Sequence, residues 1–395
     1  MARQVRVGVI GCGLIAQVQH LPNLRSLPGL FDIVAIADRD EDRARGCAER
    51  FGVNNVYNDG TALLEEDLEA VIIATSGDHA NLVAAAAEKD LAVLVEKPLC
   101  LDHPTASSLM QRVGSGGQRV MLGYMRRYDD SFRSLEAFSA SSSEPLFVRT
   151  RTAETAASAY LMALPIDEEL KVDEDPLRTA GDDYSLLRKM IGGTAWQARL
   201  YKNIVLDSLV HELNMVQALA GRAQSVGFAE LSDAGAVAVI RCERGLAQLS
   251  WVATPGSARY VQEVQVLSAG GSASVRFDSP YLASTAGCLR AEGGGPSLIE
   301  AWERKLGPDV VGAFYRELLV FHRVVTGNQP PPTALAEAVH DIATCEALGR
   351  AATTGRETAV DGPAAGSSGK LSGNGDNPGV DRAPQRSAVS EEGGK

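Results

Sequence analysis

The chain has 395 residues, 45% of them hydrophobic, and its 38 Lys plus Arg against 50 Asp plus Glu give a formal charge of −12. That length allows two domains of ordinary size with a sizeable core. The acidic balance argues against nucleic acid and anionic membrane surfaces as partners, and no apolar run approaches the roughly 18 residues a membrane helix needs. The N-terminal stretch MARQVRVGVIGCG enters a glycine turn after a very short apolar run, which makes it a poor signal peptide. Cys12, Cys47, Cys100, Cys242, Cys288 and Cys345 are scattered, with no C-x-x-C pair and no histidine at zinc-finger spacing. A structural zinc site and a disulfide framework are therefore not expected, and the simplest reading is a reduced, cytoplasmic protein whose cysteines act as small buried hydrophobes.

In chain order, VRVGVI (5–10) reads as a buried strand and LIAQVQHLPNLRSL (14–27) as a helix. DIVAIAD (32–38), EAVIIAT (69–75), LAVLVEK (91–97) and QRVMLGY (118–124) read as further strands. Helical patterns at 40–52, 79–90 and 103–114 separate them. Strands alternating with helices imply parallel pairing in a doubly wound sheet. The pattern changes after about residue 145. The strand LFVRTRTA (146–153) alternates, and runs at 225–231, 236–243, 246–253, 261–269 and 272–278 follow with short turns, as in an antiparallel meander. Helical patterns flank it at about 182–192, 207–220 and 308–326, and a closing helix spans about 333–350. The predicted fold is an α/β dinucleotide-binding domain over 1–125 and an α+β domain over 126–354 with an open, largely antiparallel sheet. From Gly355 onward five basic and six acidic side chains stand among Gly, Ser and Pro, so 355–395 reads as a disordered tail.

The first βα junction carries Gly11-x-Gly13-x-x-Ala16. Gly11 permits a tight turn, Gly13 lets a pyrophosphate approach the backbone, and Ala16 lets helix and strand pack closely. The helix N-terminus then faces the phosphates. Asp38 ends the second strand, where an acid grips a ribose 2′-hydroxyl, so NAD is favoured. Arg39 beside it is able to accept a 2′-phosphate and keeps NADP open. Thr75 and Ser76, after the third strand of the series, point into the cofactor crevice or serve the turn alone. At residues 94–100, LVEKPLC delivers Glu96 and Lys97 from a buried strand to a proline that must turn the chain. On those residues alone, a structural ion pair and a functional pair are both open.

Taken together, the glycine turn with HLPNL (20–24), ATSGDHANL (74–82), EKPL (96–99), GYMRRYD (123–129) and the C-terminal stretch 321–347 resembles the glucose–fructose oxidoreductase / inositol dehydrogenase / MocA (Gfo/Idh/MocA) family over nearly all of residues 1–350. The resemblance implies a Rossmann domain with an open-sheet domain. It makes Lys97 a catalytic residue that also binds substrate, and assigns Glu96 to the cofactor site. Leu14 and Ile15 of the glycine turn and His79 of ATSGDHANL complete the candidate cofactor set. The family's D-x-x-x-H signature falls on Asp207 and His211, four apart on one helix face. His211 is then the proton carrier and Asp207 its orienting acid. Met125 and Arg126 are candidate pocket residues by resemblance, and Asn214 either touches substrate or is an exposed polar residue.

The implied reaction is reversible hydride transfer between nicotinamide and a secondary alcohol or ketone of a sugar, nucleotide-linked sugar or cyclitol, with no metal. A ketosugar reductase is the same chemistry reversed. A non-catalytic cofactor sensor or scaffold is an alternative of another class, against which the intact lysine–aspartate–histidine set speaks. The stretch 154–206 is longer than the glycine-rich passage of many members and crowded with acids (Asp167, Glu168, Glu169, Asp173, Glu174, Asp175, Asp182, Asp183). It is expected to insert as a wall or lid that selects substrate. An open sheet needs covering, which predicts a homo-oligomer, dimer or tetramer.

Overall fold

Predominantly apolar runs form strands that are buried wherever helices cover both faces of the sheet. In the computed structural model, which describes residues 3–155, 184–257, 259–282, 287–295, 298–305 and 312–360, six strands make the first sheet. They are β1 (Val5–Ile10), β2 (Phe31–Ala37), β3 (Asn55–Tyr57), β4 (Ala70–Ile73), β5 (Ala92–Glu96) and β6 (Val120–Gly123). Their order is β3-β2-β1-β4-β5-β6 and every pairing is parallel. The order reverses between β1 and β4, which opens a crevice at the carboxyl ends of the strands. Local chemistry sets the helix ends. Asp40 caps Glu41–Phe51 by accepting from the Arg43 amide, and Gly52 closes it in the left-handed region at φ 65°. Asp102 caps His103–Val113 in the same way. The three-residue β3 was not expected, being too short to show a period.

The second sheet has nine strands: β7 (Leu146–Glu154), β8 (Ala223–Ser232), β9 (Gly235–Cys242), β10 (Gly245–Ala253), β11 (Val261–Ser268), β12 (Gly271–Phe277), β13 (Cys288–Gly295), β14 (Leu298–Lys305) and β15 (Thr358–Ala359). Their order is β14-β13-β12-β11-β7-β10-β9-β8-β15. The expected unbroken meander is corrected here. β7 lies between β10 and β11, parallel to the first and antiparallel to the second. Hairpin spacing reports neighbours in sequence and is blind to a partner a hundred residues away. β13 and β14 escaped notice because glycines dilute the apolar signal of the first and Glu300, Glu303, Arg304 and Lys305 that of the second. The start of the expected tail also differs. After Gly355 the chain returns to the sheet, and Thr358 and Ala359 pair with Val226 and Ser225 of β8. Residues 361–395, and the acid-rich part of the insertion at 156–183, lie outside the described residues.

β7 shows how the second sheet is built. Leu146, Val148, Thr150 and Thr152 are buried, while Phe147, Arg149 and Arg151 face outward. Helices Val210–Ala220 and Leu335–Thr354 cover the inner face. One apolar cluster runs from Val93 and Leu122 of the first sheet to Val148 and Leu249 of the second. The expected boundary after residue 125 is thus a change of sheet inside a continuous core, and the described residues fall in one compact unit, Met1–Gly362.

Candidate active site

The glycine turn has the shape a dinucleotide needs. Gly11 sits at φ 99°, and a Cβ there would meet the Ala74 carbonyl at 2.6 Å. A Cβ on Gly13 would meet nothing within 4 Å, so the space beside it is an open cradle. Asp38 accepts from the Cys12 amide (2.7 Å) and the Asp40 amide (2.9 Å), which ties the end of β2 to the turn. These residues fit a dinucleotide: an open backbone approach and an acid at the second strand's end. Arg39 is exposed. The guanidinium beside Asp38 is that of Arg43, 3.5 Å from Asp38 Oδ1 and 3.1 Å from Asp40 Oδ2. Arg43 was missed because it lies a helical turn beyond the motif.

A cavity of about 390 Å³ opens at the carboxyl end of the first sheet. Leu14, Ile15, Thr75, Ser76, Glu96, Lys97, Met125, Asp207 and His211 all line it, so most of the residues singled out from sequence converge there. Glu96 does not pair with Lys97. Its Oε1 lies 2.8 Å from Nε2 of the fully buried His20, whose ring meets Phe314 edge-on. His20 was part of the recognised HLPNL stretch, but nothing in the sequence tied it to Glu96. Lys97 Nζ donates to the backbone carbonyl of Asp207 at 2.6 Å. An ammonium has three protons to donate, so two remain for a ligand. The carbonyl is held in a run of wide, π-helical turns, Tyr201–Leu209, a conformation often found at functional sites. The Asp207 carboxylate lies 3.8 Å from Lys202 Nζ. Asp207 therefore contacts Lys97 through its backbone, a role that side-chain motifs do not reveal.

His211 follows on the helix Val210–Ala220, with Tyr124 edge-on to its ring at 6.0 Å. Burial first, then the positive charges of Lys97 and Arg126, hold its imidazole well below 6.5. A positive charge nearby and a low-dielectric wall both oppose the imidazolium, so the ring is neutral at pH 7.

Three expected site residues lie behind the cavity wall. His79 is fully buried, with Nδ1 2.7 Å from the Pro98 carbonyl and Nε2 2.8 Å from the Thr75 carbonyl. It pins the turn after β4 to the turn after β5 and is not among the residues that line the cavity. Arg126 is buried, donates to Gln262 Oε1 (2.8 Å) and the Asp278 carbonyl (2.7 Å), and lies over the Phe277 ring. It supports Gln262, which does line the cavity. Asn214 is neither exposed nor in the cavity. Its Nδ2 donates to Glu337 Oε1 (2.7 Å) and Asp341 Oδ2 (2.9 Å), and its Oδ1 accepts from Arg127 (3.2 Å). It stands about 60° round the helix from His211 and points to the closing helix Leu335–Thr354, where its partners Glu337 and Asp341 lie.

The remaining wall was not foreseen: Glu154, Lys202, Asn203, Ser208, Trp251, Tyr260, Gln262 and Tyr281. Lys202 and Asn203 come from the described end of the 154–206 insertion, so that segment does reach the cavity. Ser208 was within reach of inference, standing next to Asp207. The strand residues had no signal, since only the sheet order decides which strand ends meet the crevice.

A parallel sheet with a glycine-turn cradle, joined to an open sheet that supplies the other cavity wall, defines a two-sheet dinucleotide-dependent oxidoreductase fold. Residues 5–124 match the family described as "Oxidoreductase family, NAD-binding Rossmann fold". That match covers under a third of the chain and, with the relatives named next, supports a Gfo/Idh/MocA oxidoreductase. It is 36% identical over 134 residues to inositol 2-dehydrogenase 3 of Saccharopolyspora erythraea, covering 33% of this chain and 39% of that one. It is 33% identical over 192 residues to an inositol 2-dehydrogenase of Ralstonia nicotianae, covering 46% and 56%. The matched stretch thus spans less than two thirds of each relative. The apo scyllo-inositol dehydrogenase structure from Lactobacillus casei superposes with a TM-score of 0.67 at 16% identity, over 91% of this chain and 99% of that one, which is a likeness of fold.

Proposed function

We propose that this protein is an NAD-dependent dehydrogenase that oxidises a secondary CH–OH group of a cyclitol or sugar. The observation that carries the reading is the convergence of Lys97 and His211 on one cavity whose other wall is the glycine turn and the Thr75–Ser76 turn. The inositol dehydrogenases among the relatives support a polyol substrate. Gly11, Gly13 and Asp38 would hold the dinucleotide, which supplies the hydride acceptor when bound. His211, kept neutral, takes the hydroxyl proton as general base. Lys97, with one proton on the Asp207 carbonyl, turns its others to the substrate oxygen and stabilises the developing alkoxide. Asp207 fixes Lys97 through its backbone and holds Lys202 near its carboxylate.

A ketosugar reductase would run the same steps in reverse, with His211 returning the proton to the substrate oxygen. The cytoplasm as location and a homo-oligomeric state belong to the same reading. No helix among the described residues is long and apolar enough to cross a membrane. The test is a spectrophotometric screen at 340 nm with NAD and NADP against cyclitols, sugars and nucleotide sugars, on wild type, Lys97→Ala and His211→Ala. NAD-dependent turnover of a cyclitol or sugar, falling about 10²–10⁴-fold in His211→Ala, is expected. Tight NAD binding with no turnover on the whole panel would instead make the protein a cofactor sensor.

A further inference from the structure

Glu154 ends β7 and stands half-buried in the cavity wall. Its Oε2 is held by two donors, Trp251 Nε1 and Ser208 Oγ, each at 3.0 Å. Among the described residues no group donates to its Oε1, and no Lys or Arg forms an ion pair with it. A carboxylate oxygen is acceptor-only, and leaving it without donors inside a cavity wastes a strong interaction. The fixed Oε2 aims the group, so Oε1 is a pre-set acceptor beside the catalytic helix, since Ser208 lies three residues before His211. Burial first, then the charges of Glu154, Asp207 and Glu96, hold the Tyr281 hydroxyl in its protonated form. The cavity wall therefore carries three carboxylates against the two ammonium groups of Lys97 and Lys202.

We propose that Glu154 sets substrate choice: its Oε1 accepts hydroxyl protons of a neutral polyol and repels the carboxylate of the corresponding sugar acid. This rests on the polyol dehydrogenase reading above and names the residue that would read the polyol. A hydroxyl donates where the cavity offers only an acceptor. An anion would face Glu154 with no cation among the described residues paired to it.

Two variants separate recognition from support. Glu154→Gln keeps an oxygen for Trp251 and Ser208 and turns a donor toward the ligand, whereas Glu154→Ala removes both. With myo-inositol and D-glucose as neutral probes and D-glucuronate as the acid, Glu154→Gln should raise KM for the neutral probe about 10–100-fold, the range for losing a hydrogen bond to a charged group. The kcat/KM ratio of acid to neutral probe should rise by a similar factor, while NAD affinity by titration stays within about twofold. A folded Glu154→Gln with unchanged KM and an unchanged acid-to-neutral ratio would overturn the proposal, and so would loss only in Glu154→Ala, which would mark Glu154 as mere support. If wild type turns over none of the probes, the dehydrogenase reading fails on its own terms. Calorimetric binding of the same probes in the presence of NAD then decides Glu154: neutral binding weakened in Glu154→Gln supports it, and equal or absent binding in both proteins overturns it.

Discussion

His211 and Asp38 are the residues at which charge decides behaviour. Because burial and the Lys97 and Arg126 charges depress the imidazole, its basic form is present at neutral pH and is lost only as pH falls through a value below 6.5. Oxidation should therefore be flat around pH 7 and decline on its acid side, at lower pH than a free imidazole would dictate. Lys97→Met should abolish turnover, yet its instructive effect is on titration. With the neighbouring charge removed, the His211 pKa followed by NMR should move up toward 6.5. An unmoved value would leave burial and Arg126 as the whole cause. At the other end of the crevice, Asp38 keeps two backbone amides and the Arg43 guanidinium around one carboxylate. On the proposed reading, Asp38→Ala would remove the ribose acceptor and release Arg43 toward a 2′-phosphate. NAD affinity should fall far more than NADP affinity in fluorescence titration. Equal losses would show that Asp38 serves the turn and does not read the ribose.

Elements explain which site residues could be foreseen. Residues in motifs tied to one turn, Gly11, Gly13, Thr75 and Lys97, were legible because the turn itself dictates their placement. Asn214 and Arg126 were misplaced because each lies beside a motif on an element whose other face does the packing. The helix Val210–Ala220 turns His211 toward the cavity and Asn214 toward the closing helix, where Tyr124, Asp341, Glu337, Gln217 and Arg127 complete a buried polar network. No periodicity reveals such a network, since it joins residues over a hundred positions apart. Its centre is Asp341, raised to about 7 by burial and then by the charge of Glu337. A carboxyl with a raised folded pKa holds a proton that the unfolded chain has released above about 3.8. Its contribution to stability thus declines as pH rises from about 4 to 7 and is gone above that window. Asp341→Asn keeps one acceptor oxygen and has no proton to lose. Urea-unfolding midpoints of this variant should decline less with pH across the window than those of wild type. Parallel pH profiles would remove Asp341 as the titrating group.

Across the molecule as a whole, one face of the second sheet has no layer over it among the described residues. Sheet order, not sequence, brings Leu246, Phe147 and Leu267 side by side, through the registers of β10 with β7 and of β11 with β7. All three are between 36% and 39% exposed, and Phe228, Val237 and Val252 share that outer face by register and are at least as exposed as Leu246. The alternation of β7 was legible as a half-exposed strand. That Phe147 on its exposed side would meet apolar neighbours on both adjoining strands was not, because it depends on β7 being inserted between β10 and β11. Contiguous apolar surface of this kind commonly marks an interface, and the outward Arg149, Arg151 and Glu263 would supply its polar part. A second copy of the chain is the occupant that the homo-oligomer reading requires. Light scattering after size exclusion should then give a multiple of 41.8 kDa for wild type. Phe147→Asp places a charge at the centre of the row, where burying it unpaired would cost several kcal/mol, and should shift the mass toward one chain. Its NAD affinity should be preserved, because the glycine turn lies on the other sheet. A wild-type mass of 41.8 kDa at every concentration would show that the face is simply solvated.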